Sequence, residues 1–158
     1  MSLAPYLTPE EREAKLDELA RRARAEVEEL GTSVEGRPIR CVKLACKGHR
    51  RASVLPCGNI HGVELIASHT ALAFLEALID GRLPDVRETL DMFVLPCINV
   101  DGYARTWKQE GRGQLIELRA NAKGVDLNRN FPRPTEEPPS KIAFAGTDRP
   151  GTSFYRGN

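Results

Sequence analysis

Apolar residues at Leu16, Leu19, Ala20, Ala23, Val27 and Leu30 recur three and four positions apart, which predicts an amphipathic helix with one packed face. Its start is marked by Thr8-Pro9-Glu10-Glu11: a threonine cap, proline at the first helical position, and glutamate three residues after the cap. Gly31 is placed to end it, so residues 1–31 read as an N-terminal helical unit ahead of a domain over residues 32–158. The opposite, Arg- and Glu-rich face is solvated and pairs charges along the helix. Shorter apolar runs follow at Ile39 to Cys46, Ala52 to Cys57 and Asp91 to Cys97, each read as a strand. Between the last two lies a helical pattern from Val63 to Ile79, with Leu65, Ile66, Leu72, Leu75, Ala77 and Leu78 on a broad apolar surface, followed by a break at Gly81 to Pro84 and a short helical piece. Val54-Leu55-Pro56-Cys57 and Val94-Leu95-Pro96-Cys97 look alike and read as the ends of two parallel central strands. Strand, helix, strand predicts a right-handed crossover and an α/β fold, with ligands gathering where strands end. Both His61 and the stretch Asn99 to Tyr103 lie at such ends. Beyond Tyr103 a polar connection through Trp107 and Gly113 is expected, and Arg133 to Asn158, rich in proline, glycine and charge, reads as mostly loop.

Composition narrows the function. A chain of 158 residues can bury one real core. Lys and Arg number 23 against 22 Asp and Glu, so charge gives no argument for nucleic acid or an acidic membrane surface. No apolar run approaches the roughly 18 residues of a membrane span. The opening Met-Ser-Leu-Ala-Pro-Tyr lacks a basic segment followed by an apolar one, which favours a cytoplasmic location. Cys41, Cys46, Cys57 and Cys97 lack Cys-x-x-Cys spacing and read as reduced, buried thiols. His49 sits among basic residues at a loop tip and reads as exposed. His69, five residues beyond Glu64, projects roughly 140° away from it around a helix, so it does not share a ligand with Glu64 and reads as a core or interface histidine.

The chemistry concentrates at Cys57-Gly58-Asn59-Ile60-His61-Gly62-Val63-Glu64. A strand delivers a histidine to a glycine turn, and a carboxylate follows at the start of the next helix. Zinc takes imidazole nitrogen and carboxylate oxygen, and catalytic zinc sites commonly combine three protein ligands with water. The competing reading is a buried turn histidine and a glutamate that favours a helix N-terminus. The pattern alone does not separate the two.

Four stretches taken together do. Ser33-Val34-Glu35-Gly36-Arg37-Pro38, Asn59 to Glu64, Asn99-Val100-Asp101-Gly102-Tyr103 and Gly124-Val125-Asp126-Leu127-Asn128-Arg129-Asn130-Phe131 resemble, in order and spacing, the zinc carboxypeptidase family of metallopeptidases. The resemblance implies a mixed, largely parallel sheet flanked by helices, a zinc cofactor, and removal of C-terminal residues from peptide or protein substrates. It implies His61 and Glu64 as zinc ligands and Asp126 as the carboxylate that fixes the histidine tautomer. It also implies Arg119 as the group that polarises the scissile carbonyl, and Asn128 and Arg129 as the grip on the substrate's terminal carboxylate. A guanidinium that holds a carboxylate through two parallel bonds supplies position as well as charge. Around Arg119 the sequence departs from the family's aromatic-Arg-Lys neighbourhood. Asn99 and Asp101 read as turn builders at a strand end, and Tyr103 and Trp107 as packing residues.

The family's third zinc ligand, mobile tyrosine and general-base glutamate have no counterpart here, so the chain is expected to be an amino-terminal half with little activity alone. An exposed sheet edge would then favour self-association. Two other classes stay open: a zinc-dependent deacylase of the aspartoacylase and succinylglutamate desuccinylase type, and a non-catalytic module that binds peptide termini or another chain. The Glu35-Gly36-Arg37-Pro38 turn and the Asn128 to Phe131 stretch favour the peptidase over the deacylase.

Overall fold

The computed structural model describes residues 3–131, 150, 152 and 155–157, so the loop expected over Arg133 to Asn158 lies mostly outside the described residues. Helix α1 spans Pro9–Ala23, and both bonds of its capping box form, Glu11 N–H to Thr8 Oγ1 at 3.1 Å and Thr8 N–H to Glu11 Oε2 at 2.8 Å. A cap of this kind stabilises a helix by about 1 kcal/mol. The helix stops sooner than its periodicity predicts. Arg24 turns left-handed (φ 51°), and its N–H closes on the carbonyls of Ala20 and Arg21. Val27 and Leu30 belong instead to strand β1 (Glu26–Thr32), which pairs antiparallel with β2 (Pro38–Leu44). Pairing with β2 outweighs the helical spacing, and Leu30, half exposed on this edge strand, was never needed by a helix face.

The remaining elements are β3 (Ala52–Val54), α2 (Leu65–Ile79), α3 (Pro84–Thr89), β4 (Leu90–Val94), α4 (Val100–Lys108) and α5 (Leu115–Arg119), followed by a 3₁₀ turn over Leu127–Arg129. The sheet is mixed, in the order β1-β2-β4-β3: β2 and β4 are antiparallel, β3 and β4 parallel. Of the two strands expected to be central, β4 is internal, whereas β3 forms an edge among the described residues. Leu16, Leu19 and Ala20 of α1 meet Leu72, Leu75 and Leu78 of α2 over Val42, Leu44, Met92 and Val94. Each leucine so buried contributes roughly 2 kcal/mol. Ile66, expected on the packed face of α2, is 58% exposed.

Two features of the backbone prepare the site. Past Val54 and Val94 the parallel pairing continues: Leu95 N–H bonds Pro56 O (3.0 Å), Gly58 N–H bonds Leu95 O (2.8 Å), Ile98 N–H bonds Gly58 O (3.1 Å) and Asn99 N–H bonds Asn59 O (3.2 Å). The two look-alike strand ends therefore run side by side as far as Asn59 and Asn99. The stretch from Val100 to Lys108 is helix α4, not a polar connection: Asn99 caps it by accepting Gly102 N–H. Val100 and Tyr103 join Leu65 and Cys97 in a second apolar cluster, on which Leu3, Tyr6, Ile39 and Trp107 pack. All four thiols are free; Cys41 and Cys97 are buried, but Cys57, expected inside, is exposed. Burial pushes the Cys97 thiol up to about 12, so it stays protonated and inert.

Candidate metal centre

His61 reaches its place through a backbone that few residues tolerate. Asn59, buried, takes a left-handed conformation (φ 55°), and its Nδ2 donates to the His61 carbonyl at 2.9 Å. Gly62 lies so close to Gly102 of α4 that a Cβ on it would stand 2.5 Å from the Gly102 Cα. The buried His61 ring is gripped at both nitrogens: Nδ1 lies 2.8 Å from Glu64 Oε1, and Nε2 lies 3.2 Å from Asp126 Oδ1. Glu64 occupies the cap position of α2 rather than its first turn, and its carboxylate makes no capping bond. The helix-start reading of this glutamate therefore has no hydrogen bond behind it. Its side chain is 45% exposed and turned on His61.

Asp126 is brought to His61 by a tight turn. Asn121 Oδ1 accepts from Lys123 N–H (2.9 Å) and Val125 N–H (3.0 Å), and Gly124 (φ 75°) completes the reversal. Asp126 N–H then bonds the Tyr155 carbonyl at 2.7 Å. Its carboxylate, 1% exposed, accepts Arg119 Nε–H at Oδ2 (2.9 Å) and Asn128 N–H at Oδ1 (3.0 Å), besides facing His61. One buried carboxylate thus orients the histidine and the arginine together. Arg119 ends α5, and its carbonyl accepts Gly62 N–H at 3.2 Å, so backbone and side chain both tie it to the His61 loop.

The structure joins His61, Glu64, Asp126 and Arg119 by direct contacts. Asn128 joins through its backbone N–H, and Arg129 donates from Nη1 to the Asn128 carbonyl at 3.0 Å. His69 is not part of the centre: its Nε2 accepts Leu7 N–H at 2.8 Å, as a histidine at an internal seam would. His49 is exposed. Two residues read as turn builders do more. Asp101, buried, accepts Ser33 Oγ–H (2.7 Å), Glu35 N–H (3.1 Å) and Arg37 Nη1–H (2.6 Å), binding the first motif to the third. Asn99 spans three segments, bonding Ile60, Gly102 and Arg119. Its signal in the sequence was its position at the end of a strand that mirrors the one leading to His61.

In the tautomer that carries its proton on Nε2, toward Asp126, Nδ1 turns its lone pair toward Glu64 Oε1. Two acceptor atoms 2.8 Å apart repel unless a proton or a cation lies between them. An imidazole nitrogen and a carboxylate oxygen are donors that zinc accepts, and a carboxylate on the far ring nitrogen is the usual support for a zinc-bound histidine. Among the described residues no group of three His, Cys, Asp or Glu side chains is disposed to hold a metal ion, and His61 and Glu64 are the pair of donors they offer.

An α/β fold with a carboxylate-supported His and Glu pair at the ends of parallel strands defines a candidate metal-binding domain. The zinc carboxypeptidase family matches residues 13–157, and the chain belongs to that family. It is 33% identical over 115 residues to carboxypeptidase E of Caenorhabditis elegans, a match covering 66% of this chain and 24% of that protein. It is 28% identical over 139 residues to carboxypeptidase B of Astacus astacus, covering 84% of this chain and 44% of that one. The crystal structure of carboxypeptidase A from Helicoverpa armigera shares the fold, with a TM-score of 0.74 at 23% identity over 96% of this chain and 38% of that chain. The chain therefore spans less than half the length of the relatives it matches.

Proposed function

We propose that the protein carries the metal-binding and arginine-bearing part of a metallocarboxypeptidase centre that removes C-terminal residues from peptides. The observation that carries this reading is the shared use of Asp126 by His61 and Arg119. His61 Nδ1 and Glu64 would hold the zinc, with Asp126 as the partner that would keep the proton on Nε2 and leave Nδ1 to the metal. Bound there, zinc supplies a polarised carbonyl and a water of lowered pKa. Arg119, fixed by Asp126, offers its guanidinium to the negative charge that develops on the scissile carbonyl oxygen. Asn128 and Arg129, one turn further on, take the terminal carboxylate of the substrate. An enzyme that acts only at a chain end has to measure from that end, and an anion grip beside the metal does so.

The partners proposed are a peptide C-terminus and, through the β3 edge, a second copy of the chain. Titration of the zinc-loaded chain with a short peptide bearing a free terminal carboxylate, its C-terminal amide, and an N-acyl amino acid tests the substrate class. The free peptide is expected to bind at least about tenfold more tightly than the amide, with the preference lost in Arg129→Ala, as removal of a charge-assisted pair predicts. Equal binding of peptide and amide, or preference for the N-acyl amino acid, overturns it.

A further inference from the structure

We infer that Asn99 is a positioning residue that sets Arg119 against the His61 loop, an inference that rests on the metal-centre reading above. Asn99 is 2% exposed and uses its carboxamide in two directions. Oδ1 accepts Gly102 N–H at 3.0 Å and caps α4. Nδ2 lies 3.3 Å from the Ile60 carbonyl and 3.2 Å from the Arg119 carbonyl. Its two hydrogens thus serve two carbonyls, one in the residue before the metal-ligand histidine and one in the arginine itself.

Capping alone does not require this side chain. Serine or aspartate would cap α4 as well as asparagine does. Only a carboxamide adds two donors to the acceptor: serine keeps the cap and falls short of the carbonyls, and aspartate sets an oxygen against both. Asn99 and Asp126 therefore clamp the same two groups from opposite ends. Asn99 holds the backbone at Ile60 and Arg119, and Asp126 holds the side chains of His61 and Arg119. Gly62 N–H on the Arg119 carbonyl adds a third strut. A group that stabilises developing charge works by being fixed before the charge appears, and this ring of bonds fixes it.

The test is Asn99→Ser in the 158-residue chain, read by NMR and by zinc competition against a chelator. With the cap kept, the α4 amides stay protected. The Arg119 Nε–H, protected by Asp126 in the wild type, exchanges at least about tenfold faster in the variant, and zinc affinity falls by about tenfold, the lower range for loss of a supporting partner. A folded variant with Arg119 Nε–H exchange and zinc affinity unchanged overturns the inference. Should the variant not fold, the wild type decides: slow exchange of the Asn99 side-chain amide protons supports the bridge, and exchange at the rate of a free carboxamide overturns it. A wild-type chain that takes up no zinc, with the Arg119 arm responding as expected, sinks the metal reading alone.

Discussion

Burying Asp126 removes a carboxylate from water, a cost of several kcal/mol unless the charge is paired and fully hydrogen-bonded. Arg119 Nε–H and Asn128 N–H supply that compensation, with His61 Nε2 3.2 Å from Oδ1, so the residue is stable only as part of the centre. His69 shows the opposite arrangement, a titratable group held neutral. Its Nε2 accepts Leu7 N–H, its ring meets Tyr6 edge-on at 5.1 Å, and burial keeps its pKa below the usual histidine value. Tyr103, whose hydroxyl donates to the Leu7 carbonyl at 2.6 Å, completes the anchor of the N-terminal segment. Because the folded pKa is depressed, the unfolded chain binds the proton first. The stability contributed by a neutral His69 is complete above about pH 6.5 and is lost as pH falls through the lower, folded pKa. The melting temperature of the zinc-free chain should therefore fall between pH 7.5 and 5.5 by more than that of His69→Gln, whose amide oxygen accepts the same N–H without titrating. Identical slopes would contradict this.

At the scale of elements, the start of α1, the extent of α2 and the short α3 were legible because caps, prolines and apolar spacing all act locally. The end of α1 was not. Val27 and Leu30 continue the helical spacing by coincidence, and what makes that segment a strand is its ladder with β2, in which Val27 pairs with Val42. Helix α4 was hidden by Gly102, whose lack of a side chain makes room for the Asn99 carboxamide, 2.7 Å from where a Cβ would stand. The site was legible as residue types. The look-alike strand ends placed His61 and Asn99 correctly at neighbouring termini, and the Asp126 partnership with His61 is the one the family resemblance implied. What local pattern could not supply was the convergence: Asp101 on the Ser33 to Arg37 turn, and Asn99 on Ile60 and Arg119, span from about 20 to nearly 70 residues of sequence.

At the scale of the molecule, β3 leaves one side of the sheet open among the described residues. Ala52, Ser53 and Val54 are all exposed, Leu55 and Ile66 are 54% and 58% exposed, and a groove of about 420 Å³ runs beside them along Pro56, Ala67, Thr70 and Phe74. Parallel strands are ordinarily covered, and an unpaired edge is a template for a further strand. Sedimentation velocity over a wide concentration range should show reversible dimers that Val54→Lys suppresses. A wild-type monomer at every concentration would count against the second copy.

No helix among the described residues is long and apolar enough to cross a membrane. The measurement that tests the buried centre most directly is the long-range ¹H–¹⁵N spectrum of the His61 ring with and without one equivalent of zinc. The geometry predicts that Nε2 keeps its proton toward Asp126 in both states while the Nδ1 resonance moves on zinc addition, and that Glu64→Gln weakens this response. A zinc-dependent shift at Nε2, or no change at either nitrogen, would contradict the metal centre described for this chain.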